Sequence, residues 1–212
     1  MKLFRISLMA TALLALVASG KNSTDSKNTS KTGIVLENIL TRKSVRSFTE
    51  QKLTADQIET LLRAGMAAPS GMNIQPWSFV VLQDPSRYDS IFGDKNYNLR
   101  MFKKSAAIII VCADTTVTYT GRGEEPVTVP NEMWRDDVGA ATENILLAAE
   151  AMGLGAVWTV SYPYKNNYMP VKNALGLPSS VVPYSAVVLG YPAGDDKPKD
   201  KWDPSRIHYE NW

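Results

Sequence analysis

The chain has 212 residues, 44% of them hydrophobic, with a formal net charge of +2. That length supplies one well-buried domain, and so small a charge with no basic, aromatic-rich face gives no reason to expect nucleic acid. One cysteine, Cys112, and one histidine, His208, exclude an intramolecular disulfide and make a cysteine cluster or a multi-imidazole zinc site untenable, so no metal is expected.

Lys2 and Arg5 precede an apolar run from Ile6 to Val17 that ends in Ala18-Ser19-Gly20. A basic start, a short apolar core and small residues before a cut make the pattern of a secretory signal peptide, expected at 1–20. Export to the periplasm or cell envelope follows as an expectation. Position 21, where a bacterial lipoprotein carries its lipidated cysteine, is Lys21, which argues against lipidation. Residues 21–33 hold no large apolar side chain and are expected to form a flexible tether, leaving 34–212 as the folded domain.

Ile34, Val35, Ile39 and Leu40 suggest a short helix. A second helix is expected from Thr54, with Gln57 completing a capping box, Leu53 and Ile58 a hydrophobic staple, and Pro69 stopping the helix. Trp77 to Leu82 reads as a strand. Ala106 to Cys112 is the continuous apolar run of a strand covered on both faces. Residues 114 to 130 are expected to be irregular and fit either a mobile lid or a surface excursion. A long, alanine-rich central helix is expected over Glu132–Met152, then a strand at Gly155–Val160, a helix at Lys165–Leu175 and a strand at Tyr184–Gly190. The order is mixed α and β, without the alternation of a doubly wound sheet.

Chemistry-bearing groups gather in three places. Pro69-Ser70-Gly71-Met72-Asn73-Ile74-Gln75-Pro76-Trp77 links a helix to a strand and is rich in hydroxyl, amide and main-chain donors. Arg42, Lys43, Ser44 and Arg46 together supply the groups that hold a phosphate monoester. Lys197, Lys199 and Lys201 follow the last strand. Neither cluster contains a Gly-x-Gly-x-x-Gly or P-loop fingerprint, so a phosphate-bearing cofactor would be held by side chains. No Gly-x-Ser-x-Gly turn presents a nucleophile, so chemistry is expected to rest on a bound cofactor. His208 and Cys112 are expected to be structural.

Arg42-Lys43-Ser44-Val45-Arg46-Ser47-Phe48 and Ala67-Ala68-Pro69-Ser70-Gly71-Met72-Asn73-Ile74-Gln75-Pro76-Trp77 resemble the flavin-dependent nitroreductase family. Ala141-Thr142-Glu143-Asn144-Ile145-Leu146-Leu147-Ala148-Ala149, Gly153-Leu154-Gly155-Ala156-Val157-Trp158 and Leu189-Gly190-Tyr191-Pro192 agree in order and spacing, so the resemblance covers residues 34–212. It implies an α+β nitroreductase-like fold with a central mixed or antiparallel sheet flanked by helices, in a homodimer with FMN shared at the interface. It places Arg42, Lys43 and Ser44, with Arg46 beside them, at the FMN phosphate, and Lys199 and Lys201 at the phosphate or ribityl chain. Pro69, Ser70, Gly71, Met72 and Asn73 would line the flavin from the partner subunit, and Thr159, Val160 and Ser161 would pass its ring. Many relatives have a glycine at this last segment, which leaves the backbone contact at the flavin nitrogen open. The activity implied is hydride transfer from NAD(P)H to a nitroaromatic, quinone or similar acceptor by a ping-pong mechanism, with no catalytic side chain required. Alternatives are a flavin-dependent reductive dehalogenase or oxidase, or a non-catalytic flavin carrier of the envelope, which export would favour because little NAD(P)H lies outside the cytoplasm.

Overall fold

The computed structural model describes residues 31–120 and 125–212. The expected signal peptide at 1–20, most of the tether and the middle of the 114–130 segment lie outside the described residues. Helix α1 (Lys31–Thr41) includes residues 31–33 of the segment expected as tether. The chain divides into two units, Met1–Glu37 and Asn38–Trp212. Within the second unit, Asn38 Nδ2 donates to Leu147 O at 3.0 Å.

Helix α2 (Ala55–Met66) starts at the capping box, with Thr54 Oγ1 accepting from Gln57 N and Gln57 Oε1 accepting from Thr54 N. Strand β1 (Trp77–Leu82) follows, then two short helices that the sequence did not announce, α3 (Tyr88–Phe92) and α4 (Leu99–Lys104). Strand β2 (Ala107–Asp114) leads into a hairpin of β3 (Thr116–Tyr119) and β4 (Val127–Pro130). The hairpin corrects the irregular segment expected there. Its strands pair antiparallel, and the Thr118 and Thr128 hydroxyls meet at 2.8 Å. The remaining elements are α5 (Trp134–Ala151), β5 (Gly155–Val160), α6 (Lys165–Ala174) and β6 (Val181–Gly190).

The main sheet is wholly antiparallel, in the order β1-β2-β6-β5. Its centre is β2, whose residues Ala107–Ala113 are all buried, as a strand covered on both faces must be. Period-two alternation sends Ile109 and Val111 towards Leu61 of α2 and Val138, Ile145 and Ala149 of α5, while Ile108 and Ile110 meet Tyr88, Phe92 and Phe102 of α3 and α4 and Val171 of α6. Helix α2 comes close to α5 at Gly65, where a Cβ would lie 3.0 Å from Ile145 Cδ1. The result is an α+β fold in three layers. No helix among the described residues is long and apolar enough to cross a membrane.

Candidate functional site

The basic segment after α1 is stitched to the edge strand β5 and to the chain that follows β6. Val45 is buried, and its N–H donates to Ala156 O at 3.0 Å. Ser44 forms a parallel bridge with Ala156, and Val45 occupies the space left by Gly155. Further along, Thr49 N donates to Tyr191 O and Ala193 N donates to Ser47 O, both at 2.9 Å. The roots of the two basic clusters thus meet, although they lie some 150 residues apart in the chain (Ser47 and Ala193).

Two carboxylates of α5 orient the cations. Arg42 Nε lies 2.9 Å from Glu143 Oε1 and Lys43 Nζ lies 2.8 Å from Glu150 Oε1. Each cation keeps further N–H donors free, and the Ser44 hydroxyl has no hydrogen-bond partner among the described residues. Arg46 is exposed and donates to Ser44 O at 3.4 Å. Lys199 and Lys201 are exposed and form no ion pair among the described residues, whereas Lys197 pairs with Asp195.

Strand β5 is an edge, and its register says which main-chain groups are open. Ser161 N donates to Tyr184 O at 3.2 Å, and Thr159 pairs with Ala186 in the same phase. Antiparallel alternation then turns the N–H groups of Trp158 and Val160 to the outer edge, the edge on which Ala156 O already binds Val45. The open main-chain donor at the end of the strand is Val160 N–H, whose side chain is exposed. Thr159 and Ser161 are turned inward, and the Thr159 hydroxyl donates to Ala186 O at 3.0 Å.

Thr159, Val160 and Ser161 line a cavity of about 370 Å³ together with Asn96, Asn98, Asn166 and Asn167. That volume suits a small molecule, and four amides give it donors and acceptors. The sequence reading missed these asparagines. The signal was present as two amide-rich stretches, Asn96-Tyr97-Asn98 and Asn166-Asn167, each beside a helix. Arg42–Arg46 and Pro69–Asn73 do not line this cavity.

The loop after α2 sits instead on the first turns of α5. Gly71 N donates to Asp137 Oδ1 at 2.8 Å, and Gln75 N donates to Ser70 Oγ at 3.0 Å. Met72, Asn73 and Gln75 adopt positive φ of 50°, 57° and 53°. Pro69, Met72 and Asn73 are exposed, while Ser70 and Gly71 are half-buried. Asp137 was another residue that sequence reasoning missed, because an acid near a helix start looks like a solvated partner of the dipole.

Cys112 is fully buried, and burial pushes its thiol up to about 12. His208 stacks on Trp212 at 4.4 Å. Among the described residues no three His, Cys, Asp or Glu side chains group as metal ligands.

Comparison with known proteins identifies the family. Residues 39–191 match the model of the nitroreductase family. A protein of Archaeoglobus fulgidus, provisionally assigned as an NADH dehydrogenase/NAD(P)H nitroreductase, is 36% identical over 180 residues, which are 84% of this chain and 98% of that protein. The crystal structure of a protein of the same provisional assignment from Bacteroides thetaiotaomicron is 39% identical with a TM-score of 0.74, covering 84% of this chain and 98% of that one. The NADPH:FMN oxidoreductase of Vibrio harveyi, solved with NAD+, is 25% identical with a TM-score of 0.70, covering 84% and 78%. Fold, motif order and these likenesses coincide over the whole domain, and the chain belongs to the nitroreductase family.

Proposed function

We propose that the chain is an FMN-dependent oxidoreductase that takes hydride from NAD(P)H and passes reducing equivalents to a nitroaromatic, quinone or similar small acceptor. The observation that carries this reading is the open edge of β5. Arg42, Lys43 and Ser44 stand at its start and the unpaired Val160 N–H at its end, four residues beyond Ala156. At roughly 3.3 Å per residue that spacing is about 13 Å, comparable with a flavin ring and its phosphate-bearing tail. The donor set fits the cofactor: a guanidinium, an ammonium and a free hydroxyl for a dianion, and a main-chain amide for a ring nitrogen. Bound FMN supplies the redox chemistry by accepting a hydride and releasing electrons to a second substrate.

The protein's part is to bind and orient. Glu143 and Glu150 hold Arg42 and Lys43 in place, so little side-chain freedom is lost when an anion arrives. Val160 N–H would hold a ring atom of bound FMN, and Thr159 and Ser161 line the adjoining cavity. Donor and acceptor occupy one cleft in turn, the ping-pong order. The active unit is a homodimer sharing two FMN sites. Supporting this, the Pro69–Asn73 loop lies on α5 rather than at the cavity, and Trp202, Tyr209 and Trp212 stand 74%, 83% and 101% exposed on the C-terminal segment, more apolar surface than an isolated subunit usually leaves.

The test is a visible spectrum of the purified protein, followed by anaerobic addition of NADH and then NADPH. A yellow protein that bleaches is the expected result. A yellow protein indifferent to both nucleotides would replace the reading with a flavin carrier or an enzyme using another donor. A colourless protein that FMN does not reconstitute overturns it.

A further inference from the structure

Asp137 is the fourth residue of α5 and is 4% exposed. One carboxylate oxygen, Oδ1, accepts the Gly71 N–H at 2.8 Å. The other, Oδ2, is buried and has no partner among the described residues. A buried carboxylate that spends only one of its two oxygens needs an explanation, because leaving an acceptor dry is costly. Asn131, 4% exposed just before the helix, has the complementary lack: its Oδ1 accepts from Met133 N at 3.1 Å while its Nδ2 finds no acceptor.

The segment that Asp137 holds is strained. Met72, Asn73 and Gln75 are all non-glycine residues at positive φ, a conformation that persists only where the surroundings over-determine it. Within the loop the restraints are local: Asn73 N to Ser70 O, Ile74 N to Gly71 O, and Gln75 N to Ser70 Oγ. Among the described residues, the hydrogen bond that ties Ser70–Gln75 to the rest of the protein is the one to Asp137. Packing tightens the same joint, since a Cβ at Gly71 would collide with the Met133 thioether. Both contacts come from the start of α5, Met133 as its N-cap and Asp137 in its first turns, and the other end of that helix is fixed in the core through Ile145, Leu146 and Ala149.

We propose that Asp137 is a positioning residue: its buried carboxylate clamps the Gly71 main chain and so fixes the orientation in which Ser70, Met72 and Asn73 meet the flavin, with Oδ2 held for a second donor that comes with the filled site. This rests on the oxidoreductase reading above and deepens it. A rigid element thereby sets a loop that propensity alone would let wander, and the loop's donors are pre-aimed before a ligand arrives.

The experiment uses the full chain and two variants, Asp137→Ala and Asp137→Asn, with two readouts. Hydrogen exchange of the 69–76 segment reads the clamp without flavin, and fluorescence titration reads FMN affinity. Removing a charged acceptor should speed exchange in the loop by about tenfold or more and weaken FMN binding by a similar factor. The melting transition of the apoprotein should stay cooperative, and Asp137→Asn, which keeps an oxygen for Gly71, should restore both readouts to within about threefold. Wild-type exchange in the alanine variant overturns the proposal, as does faster exchange with unchanged FMN affinity. Should the alanine variant fail to fold, Asp137→Leu, of similar shape but without an acceptor, takes its place, and wild-type exchange or unchanged FMN affinity in that variant overturns the proposal. A wild-type protein that takes up no FMN brings down the oxidoreductase reading instead, while the exchange data still decide whether Asp137 holds the loop.

Discussion

Glu143 and Glu150 do their work through the cations they hold. The Arg42–Glu143 pair is partly exposed, with side chains 21% and 42% accessible, so it adds little to stability. Its value, on the proposed function, lies in holding the guanidinium in one orientation for an anion. Replacing Arg42 with alanine is expected to weaken FMN retention by about 1.5–3 kcal/mol, the scale of a hydrogen bond to a charged group. Fluorescence titration checks this, and an unchanged dissociation constant would remove Arg42 from the phosphate site. The charge types at 42–46 were readable from the sequence. Their partners were not, because Glu143, Glu150 and Asp137 occupy helical positions where an acid is ordinarily a solvated face, and only the docking of α5 set Glu143 and Glu150 beside the cations and buried Asp137.

Elements with strong local signals were legible. The Thr54 capping box defined the start of α2, and the unbroken run of isoleucine and valine defined β2, whose two-sided burial follows from its composition. Helices α3 and α4, of five and six residues, are too short for a period of 3.6 to declare itself. The β3–β4 hairpin escaped for a different reason: its pairing closes over a gap of several residues rather than a two-residue turn, and its anchor is Asn131 N to Thr115 O. The joint between the basic segment and β5 is tight at Gly155, where a Cβ would stand 2.6 Å from Val45 Cγ1. Gly155→Ala is therefore expected to destabilise the protein by about 1–3 kcal/mol through overpacking. Combining it with Val45→Ala should cost less than the sum of the two single changes, measured by denaturant unfolding in a double-mutant cycle. Additive losses would mean that Val45 and Gly155 do not share that space.

At the scale of the whole molecule, the layer of α3, α4 and α6 buries two ionisable groups against the sheet. Burial holds the Tyr88 hydroxyl, which donates to Leu82 O at 3.1 Å, at about 12 against an ordinary 10.0, with the Asp84 charge adding to the effect. Burial alone raises the Cys112 thiol from 9.0 to about 12. Both folded values lie above the unfolded ones, so between these limits the unfolded chain binds fewer protons than the folded one. The stabilisation is complete below about pH 9 and is lost as pH rises through about 12. Unfolding free energy should accordingly fall over that range, and Tyr88→Phe should flatten the decline. An equal slope in the variant would show that Tyr88 ionises as readily folded as unfolded.

By itself the sequence determined the order and type of the long elements, the α+β class, and the family membership that five motifs in register imply. These are properties of residue pattern along the chain, where period, capping and turn chemistry act over a few positions. Tertiary structure decided which motifs share a site. It brought Ser47 beside Ala193, turned Val160 N–H rather than Ser161 N–H to the open edge, assembled Asn96, Asn98, Asn166 and Asn167 around Thr159, and gave Gly71 its buried partner in Asp137. Each of these depends on strand register or on the packing of one helix against another, and such contacts join residues whose separation in sequence carries no local signal.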